Sequence, residues 1–366
     1  MRNLFIDFET FSETDIKTAG NYKYCEDPNF EILLCGYMFD TDTEVSILDL
    51  STTHDIQVFH NLFCAVTTDL DITVVAHNAN FERICLKEYG YDIDPMRFFC
   101  TANMSLYCGM PPSLDAVSQI LDLQDKKLGT GKNLIRYFSV PCKPTKANGM
   151  RTRNFPRHNP KGWEEFKEYL KYDVLSEREI FNKLSHFDFP LLEQRIYAAD
   201  QRINDYGIKA DLQLARAAQS MDEQYKERLA TLARDKYGID SLKSMPQLKK
   251  FIYDRTGVNI ASLNKSSIDD VINEIRASET ATDEDKQAVL EVIDLRKEVG
   301  KTSNAKYTAI LASAGRGDRI RGLFRYYGAN RTGRWAGRLV QLQNLPQNHI
   351  EDLDGHETWQ KCMIWI

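Results

Sequence analysis

Leu4-Phe5-Ile6-Asp7-Phe8-Glu9-Thr10 carries two carboxylates two residues apart at the end of an apolar run. Along a β-strand successive side chains alternate faces, so Asp7 and Glu9 point the same way and can share a cation. Acidic residues at strand ends are also common as solvated caps, so the pair gains meaning from its company. A second apolar run, Ile72 to Ala76, leads into Asn78-Ala-Asn-Phe81-Glu82, and Tyr169-Leu-Lys-Tyr-Asp173 lies in a helical pattern. Residues four apart on a helix are stacked neighbours, which puts Tyr169 and Asp173 on one face. A strand, a strand-to-helix turn and a helix thus each supply an acid, giving four carboxylates and a tyrosine.

That inventory suits a two-metal site for phosphodiester hydrolysis. Mg²⁺ takes hard oxygen ligands and keeps waters and substrate phosphates in its shell, so a few carboxylates hold a pair of ions about 4 Å apart. One ion activates the attacking water, the other stabilises the leaving 3′ oxygen, and Tyr169 is placed to orient the water. Each piece also has an ordinary reading. Phe81, Ile84 and Leu86 fit a core, Asn78 fits a helix N-cap, and a lone tyrosine is more often a packing residue.

Asp7-Phe-Glu9-Thr10, Asn78-x-x-Phe81-Glu82 and Tyr169-x-x-x-Asp173 resemble the three motifs of the DnaQ-like 3′→5′ exonucleases of the DEDD, tyrosine subtype. The resemblance implies a ribonuclease H-like fold. It makes Asp7, Glu9, Glu82 and Asp173 the ligands of two Mg²⁺ ions, replaceable by Mn²⁺, with Tyr169 orienting the water and Asn78 and Phe81 against the nucleic acid. One departure stands out: the second motif ordinarily carries Asp where this chain has Glu82, one methylene longer.

Further along, Asp200-x-x-Ile203-Asn204-x-x-Gly207-Ile208-x-x-Asp211, Pro246-Gln247-Leu248 and Arg331-Thr-Gly-Arg334-Trp-Ala-Gly-Arg338-Leu-Val-Gln-Leu-Gln343-Asn344-Leu-Pro346 resemble the thumb and first palm segment of family A DNA polymerases of the bacteriophage type. The resemblance implies DNA as partner, as a single-stranded 3′ end and as primer-template duplex, with Arg331, Thr332, Arg334, Arg338, Gln343 and Asn344 contacting it. It stops near residue 354. The Asp-Tyr-Ser-like strand, the fingers helix with Lys and Tyr and the His-Asp-Glu-like turn that nucleotidyl transfer needs in that family do not occur in these 366 residues, and Gly355 to Ile366 is an apolar tail outside the pattern. The expected activity is therefore 3′→5′ exonuclease without synthesis. A truncated or frameshifted product, a split polymerase subunit completed by a second polypeptide, and a non-catalytic DNA-binding remnant all stay open, as does RNA in place of DNA.

Composition is ordinary for a globular protein, 42% hydrophobic and 27% charged, with length for two cored domains. Eight cysteines lack paired spacing; Cys35, Cys64, Cys85 and Cys100 sit in apolar settings and read as reduced core thiols. Met1-Arg-Asn leads directly into a strand, which predicts no signal peptide, and no apolar run approaches the roughly 20 residues a membrane span needs. The expectation is a soluble protein of the bacterial or phage-infected cytoplasm, with no membrane partner.

Charge is segregated. Residues 126 to 161 hold ten Lys or Arg and no acid, and residues 316 to 338 hold seven Arg against Asp318; these +10 and +6 segments leave −22 on the rest of a chain whose net charge is −6. Basic stretches flanking an acidic metal site attract a phosphate backbone. Phe138 and Phe155 are candidates to stack on bases, and a solvated flexible loop is the plain alternative for 143 to 161.

Hydrophobic periodicity predicts strands near 3–9, 30–39, 44–50, 72–76 and 97–101. Helices are predicted at 80–89, 102–108, 114–122 with Ser113 as N-cap, and 162–185. The pattern then turns helical: 191–205, a turn at Gly207, a long helix capped by Asp211 and stopping before Gly238, and helices at 245–255, 266–277 and 283–311. The fold class is α/β. It comprises a mixed-sheet exonuclease domain over 1–189, a helical thumb-like domain over 190–315, a partial palm over 316–354 and an aberrant or disordered tail over 355–366.

Overall fold

Residues Arg2–Phe11 form β1, the middle strand of a five-stranded mixed sheet. The computed structural model describes residues 2–123, 131–264, 266–301 and 304–345. After β1 come α1 (Ile16–Cys25), β2 (Glu31–Phe39), β3 (Ser46–Asp49), α2 (Thr53–Thr68), β4 (Ile72–Ala76), α3 (Asn80–Glu88), β5 (Phe98–Cys100), α4 (Thr101–Tyr107) and α5 (Leu114–Ile120). Strand order is β3-β2-β1-β4-β5. β2 runs antiparallel to both β1 and β3, whereas β4 runs parallel to β1 and β5.

Alternation along β1 sets the layers. Leu4, Ile6 and Phe8 pack with Phe59 and Phe63 of α2 and Ile84 and Leu86 of α3 on one side. Phe5 faces the other side, with Met38, Val75 and Val174. Asp7 and Glu9 share the parity of Phe5 and so point toward the helix that covers this second face.

After α6 (Gly131–Phe138), that covering helix is α7 (Pro160–Leu184). Pro at its first turn and the Asn159 side chain accepting the Gly162 N–H start it, as an N-terminus requires. Its apolar stripe of Trp163, Phe166, Leu170 and Val174 is buried on the sheet at helical spacing. Gly36, the β2 partner of Asp7, permits the approach: a Cβ there would lie 2.9 Å from Val174 Cγ2 and 3.0 Å from Leu170 Cγ. The Trp163 indole N–H donates to Asp49 Oδ2 at 2.7 Å, tying the start of α7 to β3.

α8 (Leu191–Tyr206) is held to the sheet region by a buried ionic knot. Asp205 accepts from both Arg83 guanidinium nitrogens at 2.6 and 3.0 Å, from the Tyr22 hydroxyl at 2.6 Å and from Lys87 at 3.0 Å. Then follow β6 (Ile208–Lys209), α9 (Leu212–Tyr237), α10 (Met245–Thr256), α11 (Ile268–Ala277), α12 (Asp283–Val299), α13 (Ala305–Ser313), β7 (Ala314–Gly315), β8 (Arg319–Ile320), β9 (Phe324–Ala329) and β10 (Arg334–Gly337). β6, β8 and β7 make a small three-stranded sheet, and β9 and β10 an antiparallel hairpin that packs on α8 and α4. Contacts divide the chain into one unit of residues 1–210 with 312–346 and a second containing 211–311. The second unit is helical, with Leu248, Ile252, Ile275, Val289 and Val292 in its core. In this division α8 goes with the first unit, to which the Arg83–Asp205 knot ties it.

The expected strands and most helices lie within a few residues of their predicted ends; Asp211 and Gly238 cap α9 at its two ends as expected. Three helices, α1, α2 and α6, appear where none is predicted. The expected single helix over 283–311 is two, since Gly300 closes α12 by donating to Arg296 O. Cys35, Cys85 and Cys100 are buried free thiols as expected, but Cys64 is exposed on the outer face of α2, which corrects its reading as a core residue. Ser113 sits at the N-cap of α5 without a side-chain capping bond. Among the described residues no helix is long and apolar enough to cross a membrane. Lys126, Lys127 and residues 346–366, including Pro346 and the apolar tail, lie outside the described residues.

Candidate metal centre

Asp7 and Glu9 from β1 meet Asp173 from α7, and the three present carboxylate oxygens within 4.8 Å of one another. The meeting follows from the layers. The β1 acids lie on the α7 side of the sheet, and α7 brings Asp173 over them on the same stripe that buries Leu170 and Val174. A shift in β1–β2 pairing between Glu9 and Thr10 lies beside the cluster, a bulge of the kind that re-aims side chains at sites. Glu9 and Asp173 are buried, and Asp7 is half-buried. Three like charges this close suit a divalent cation, and every donor is a hard oxygen.

Glu82 is not within that tight trio but borders it. It sits in the first turn of α3, 3% exposed, and its Oε2 has no hydrogen-bond partner among the described residues. Burial, and then the charge of Asp7, push its carboxyl well above the usual range. A cation shared with Asp7 would reverse that push and give the orphaned oxygen a partner, so the donor set fits a second ion.

Tyr169 lies one turn before Asp173, with its hydroxyl hydrogen-bonded to that carboxylate. Burial, then the charges of Asp173 and Glu9, raise its pKa, so it stays a neutral donor. Its ring stacks on Phe166 and rests on Gly131, where a Cβ would come within 2.1 Å of a ring carbon. Asn78 is not the N-cap of α3: it adopts φ 74°, and Ala79 holds the cap position. A left-handed residue before the helix swings the chain from β4 into α3 and delivers Glu82 inward. Phe81 is partly buried against Tyr24 and, with Glu9, lines a cleft of about 410 Å³.

The predicted nucleic-acid contacts divide. Asn78 and Arg338 line one polar cavity of about 440 Å³, with Asp200 and Tyr326 on its wall. Arg331, Thr332 and Arg334 are exposed on the β9–β10 hairpin, and Gln343 and Asn344 are exposed beyond it. The structure does not bring these hairpin residues into the carboxylate cluster. Phe138 is corrected: at 1% exposed it packs with Trp163 and Phe166 and cannot stack on bases. Phe155 is half-buried between Arg153 and Arg157, whose guanidinium carbons lie 4.9 and 4.6 Å from its ring centre. The segment after α6 is an ordered loop, closed by Cys142 N–H to Thr152 O at 2.8 Å and by the Asn154 amide to Tyr137 O at 2.9 Å. Lys132, Arg136, Lys143, Lys146, Arg157 and Lys161 are exposed on it and its flanks.

One buried acid escaped the motifs. Glu177, one turn beyond Asp173, is 1% exposed and accepts the His77 N–H on Oε2 at 2.9 Å. Its place four residues after Asp173 was the available signal.

A DNA polymerase of Bacillus phage SP02 is 46% identical over 355 residues, which cover 97% of this chain and 53% of that protein. The chain is homologous to a phage DNA polymerase. It spans about half the length of this curated relative. Among solved structures, the POL domain of Pol1 from M. smegmatis in complex with DNA primer-template and dNTP is similar at a TM-score of 0.47 and 15% identity, over 94% of this chain and 53% of that one. No protein-family model matches the chain.

Proposed function

We propose that this chain carries a divalent-metal-dependent 3′→5′ DNA exonuclease, a proofreading module of a phage-type DNA polymerase. The observation that carries the reading is the convergence of Asp7, Glu9 and Asp173 within 4.8 Å. Asp7 and Glu9 come from β1 and Asp173 from α7, while Glu82 is buried in the first turn of α3, on a mixed sheet of order β3-β2-β1-β4-β5 that suits a ribonuclease H-like domain. In this reading residues 211–311 are the thumb-like helical unit, and the β9–β10 hairpin belongs to a palm segment. DNA is the substrate suggested by the homologous polymerase.

Asp7, Glu9, Glu82 and Asp173 would hold two Mg²⁺ ions, for which Mn²⁺ would substitute. Ions held there supply the positive charge that makes an attacking water acidic and offsets charge on the leaving 3′ oxygen. Tyr169, neutral and oriented by Asp173, directs that water. Phe81 and the cleft beside Glu9 flank the terminal nucleotide, and the exposed cations of residues 132–161 draw in the single strand.

Purified protein incubated with 3′-labelled single-stranded DNA tests this. Mononucleotide release is expected with Mg²⁺, none with chelator and none from Asp7→Ala, while Tyr169→Phe slows release and keeps metal binding. Robust degradation by the Asp7→Ala protein overturns the assignment.

A further inference from the structure

We propose that the polar cavity beneath the β9–β10 hairpin binds one nucleotide unit, its base on the carboxamides of Asn80, Asn103 and Gln201 and its phosphate on Arg325 and Arg338. All five residues line this cavity, whose volume of about 440 Å³ is that of a small-molecule site. They belong to one compact unit, that of residues 1–210 with 312–346. Asn80 opens α3, Asn103 lies in α4 and Gln201 in α8, whereas Arg325 belongs to β9 and Arg338 follows β10. Asp7, Glu9, Glu82 and Asp173 are not on its wall, so the cavity needs none of the metal chemistry above.

The unmet polar atoms define the ligand. Gln201 is 2% exposed, and its Nε2 donates to Asp200 Oδ2 at 3.0 Å, while its Oε1 has no hydrogen-bond partner among the described residues. Asn80 Oδ1 and Asn103 Nδ2 are likewise buried without a partner among them. Such atoms are costly until a partner answers them. Two carbonyl oxygens call for donors, which a bare oxyanion does not supply, and the amide nitrogen calls for an acceptor. A nucleobase edge carries both, and carboxamides pair with such an edge bidentately. The hairpin side asks for the opposite, an anion: among the described residues neither Arg325 nor Arg338 is in an ion pair, and a guanidinium fork matches phosphate. Asp200 on the same wall is already engaged, Oδ1 by the Trp335 indole and Oδ2 by the Gln201 and Asn204 amides, and it serves to hold Gln201. Phe324 and Tyr326 add an aromatic wall for the base. A free nucleoside monophosphate and an unpaired nucleotide within a strand both carry this chemistry.

Titration calorimetry of the full chain in chelator, with the four deoxynucleoside monophosphates as probes, tests the proposal without any divalent ion. At least one of them should saturate a single site. 2-Deoxyribose 5-phosphate, which lacks the base, and the matching deoxynucleoside, which lacks the phosphate, should each bind at least about tenfold more weakly. Gln201→Leu should weaken the nucleotide by at least about tenfold and leave deoxyribose phosphate unchanged, whereas Arg338→Gln should weaken both. A single-stranded hexanucleotide separates the two sources. If it binds more tightly than the monophosphate and is weakened by both substitutions, the occupant is an unpaired nucleotide of a strand; if the monophosphate binds at least as tightly, the occupant is the free nucleotide. No saturable binding of any probe overturns the proposal, and so does equal binding of nucleotide and deoxyribose phosphate, which would mean a bare anion site. Binding lost in Asp7→Ala but kept in Gln201→Leu would assign the nucleotide to the carboxylate cluster and overturn the proposal as well. Should Gln201→Leu fail to fold, Arg338→Gln and the probes lacking base or phosphate decide the same question.

Discussion

Glu82 and Asp200 show how far a single carboxyl depends on what surrounds it. Glu82 is buried beside Asp7 and held high by burial and by that charge. If it is a ligand, Glu82→Asp should leave nucleotide release intact or raise it, whereas Glu82→Ala should lower it by about 10²-fold or more. An unchanged rate for Glu82→Ala in a labelled-DNA assay would show that it binds no ion. Asp200 is buried under the β9–β10 hairpin, where its Oδ1 accepts the Trp335 indole N–H at 2.7 Å. Burial raises its pKa to about 6, against hydrogen bonds from Trp335, Asn204 and Gln201. The folded state thus holds this proton to a higher pH than the unfolded chain does. The sign follows: its contribution to stability is complete below about pH 4 and is lost as pH rises through about 6, on the order of 3 kcal/mol. Denaturant unfolding from pH 4.5 to 7.5 should show wild type losing stability relative to Asp200→Asn, in which Trp335 keeps an acceptor. A pH-independent difference between the two would mean that Asp200 titrates alike folded and unfolded.

At the scale of elements, α7 and α8 carry most of the consequences. α7 serves packing and chemistry at once, because its apolar stripe and its polar triplet Tyr169, Asp173 and Glu177 share one buried side. α6 sets Tyr169 by contact: Gly131→Ala would drive a methyl into the ring, so nucleotide release should fall by up to about a hundredfold with Mn²⁺ affinity retained. Wild-type kinetics in Gly131→Ala would free Tyr169 from this role. α8 is pinned by Asp205, whose own burial would raise its carboxyl; hydrogen bonds and charge from Arg83, with Tyr22 and Lys87, more than offset this and hold it low. Asp205→Ala strands Arg83, whose side chain is only 2% exposed, and should cost about 3–5 kcal/mol in unfolding free energy. A loss under 1 kcal/mol would mean that Arg83 finds another partner. Helices with long apolar stripes, such as α7, were legible in the sequence. α1 was not, since it is polar and broken by Gly20 at φ 81°. α6 was hidden by its basic neighbours, although Leu134 and Phe138 sit four apart on its buried face.

For the molecule as a whole, the separation of charge is the property that bears on DNA. With Lys132, Arg136, Lys143, Lys146, Arg157 and Lys161 exposed on one segment and Arg331 and Arg334 on the hairpin, binding of single strands should weaken steeply with salt. The expected slope of log affinity against log salt is about −0.7 per neutralised phosphate. Arg331→Ala and Arg334→Ala should each flatten it by about that amount in fluorescence anisotropy titrations. Half-buried Arg338, its pKa lowered by burial and by Arg325, should affect stability as well as binding. A salt-independent affinity would place these arginines away from the DNA. Alternation along β1, the i to i+4 spacing of Tyr169 and Asp173, and the basic and acidic blocks were written in the order of residues, because each depends on near neighbours in the chain. The tight trio of Asp7, Glu9 and Asp173, the burial of Phe138 and the exposure of Cys64 were not. Phe138 is covered by Trp163 and Phe166 of α7, and Cys64 lies exposed on α2. The trio depends on which face of α7 meets the sheet and how closely Gly36 lets it approach, and such contacts between residues more than a hundred positions apart exist only once the chain has packed.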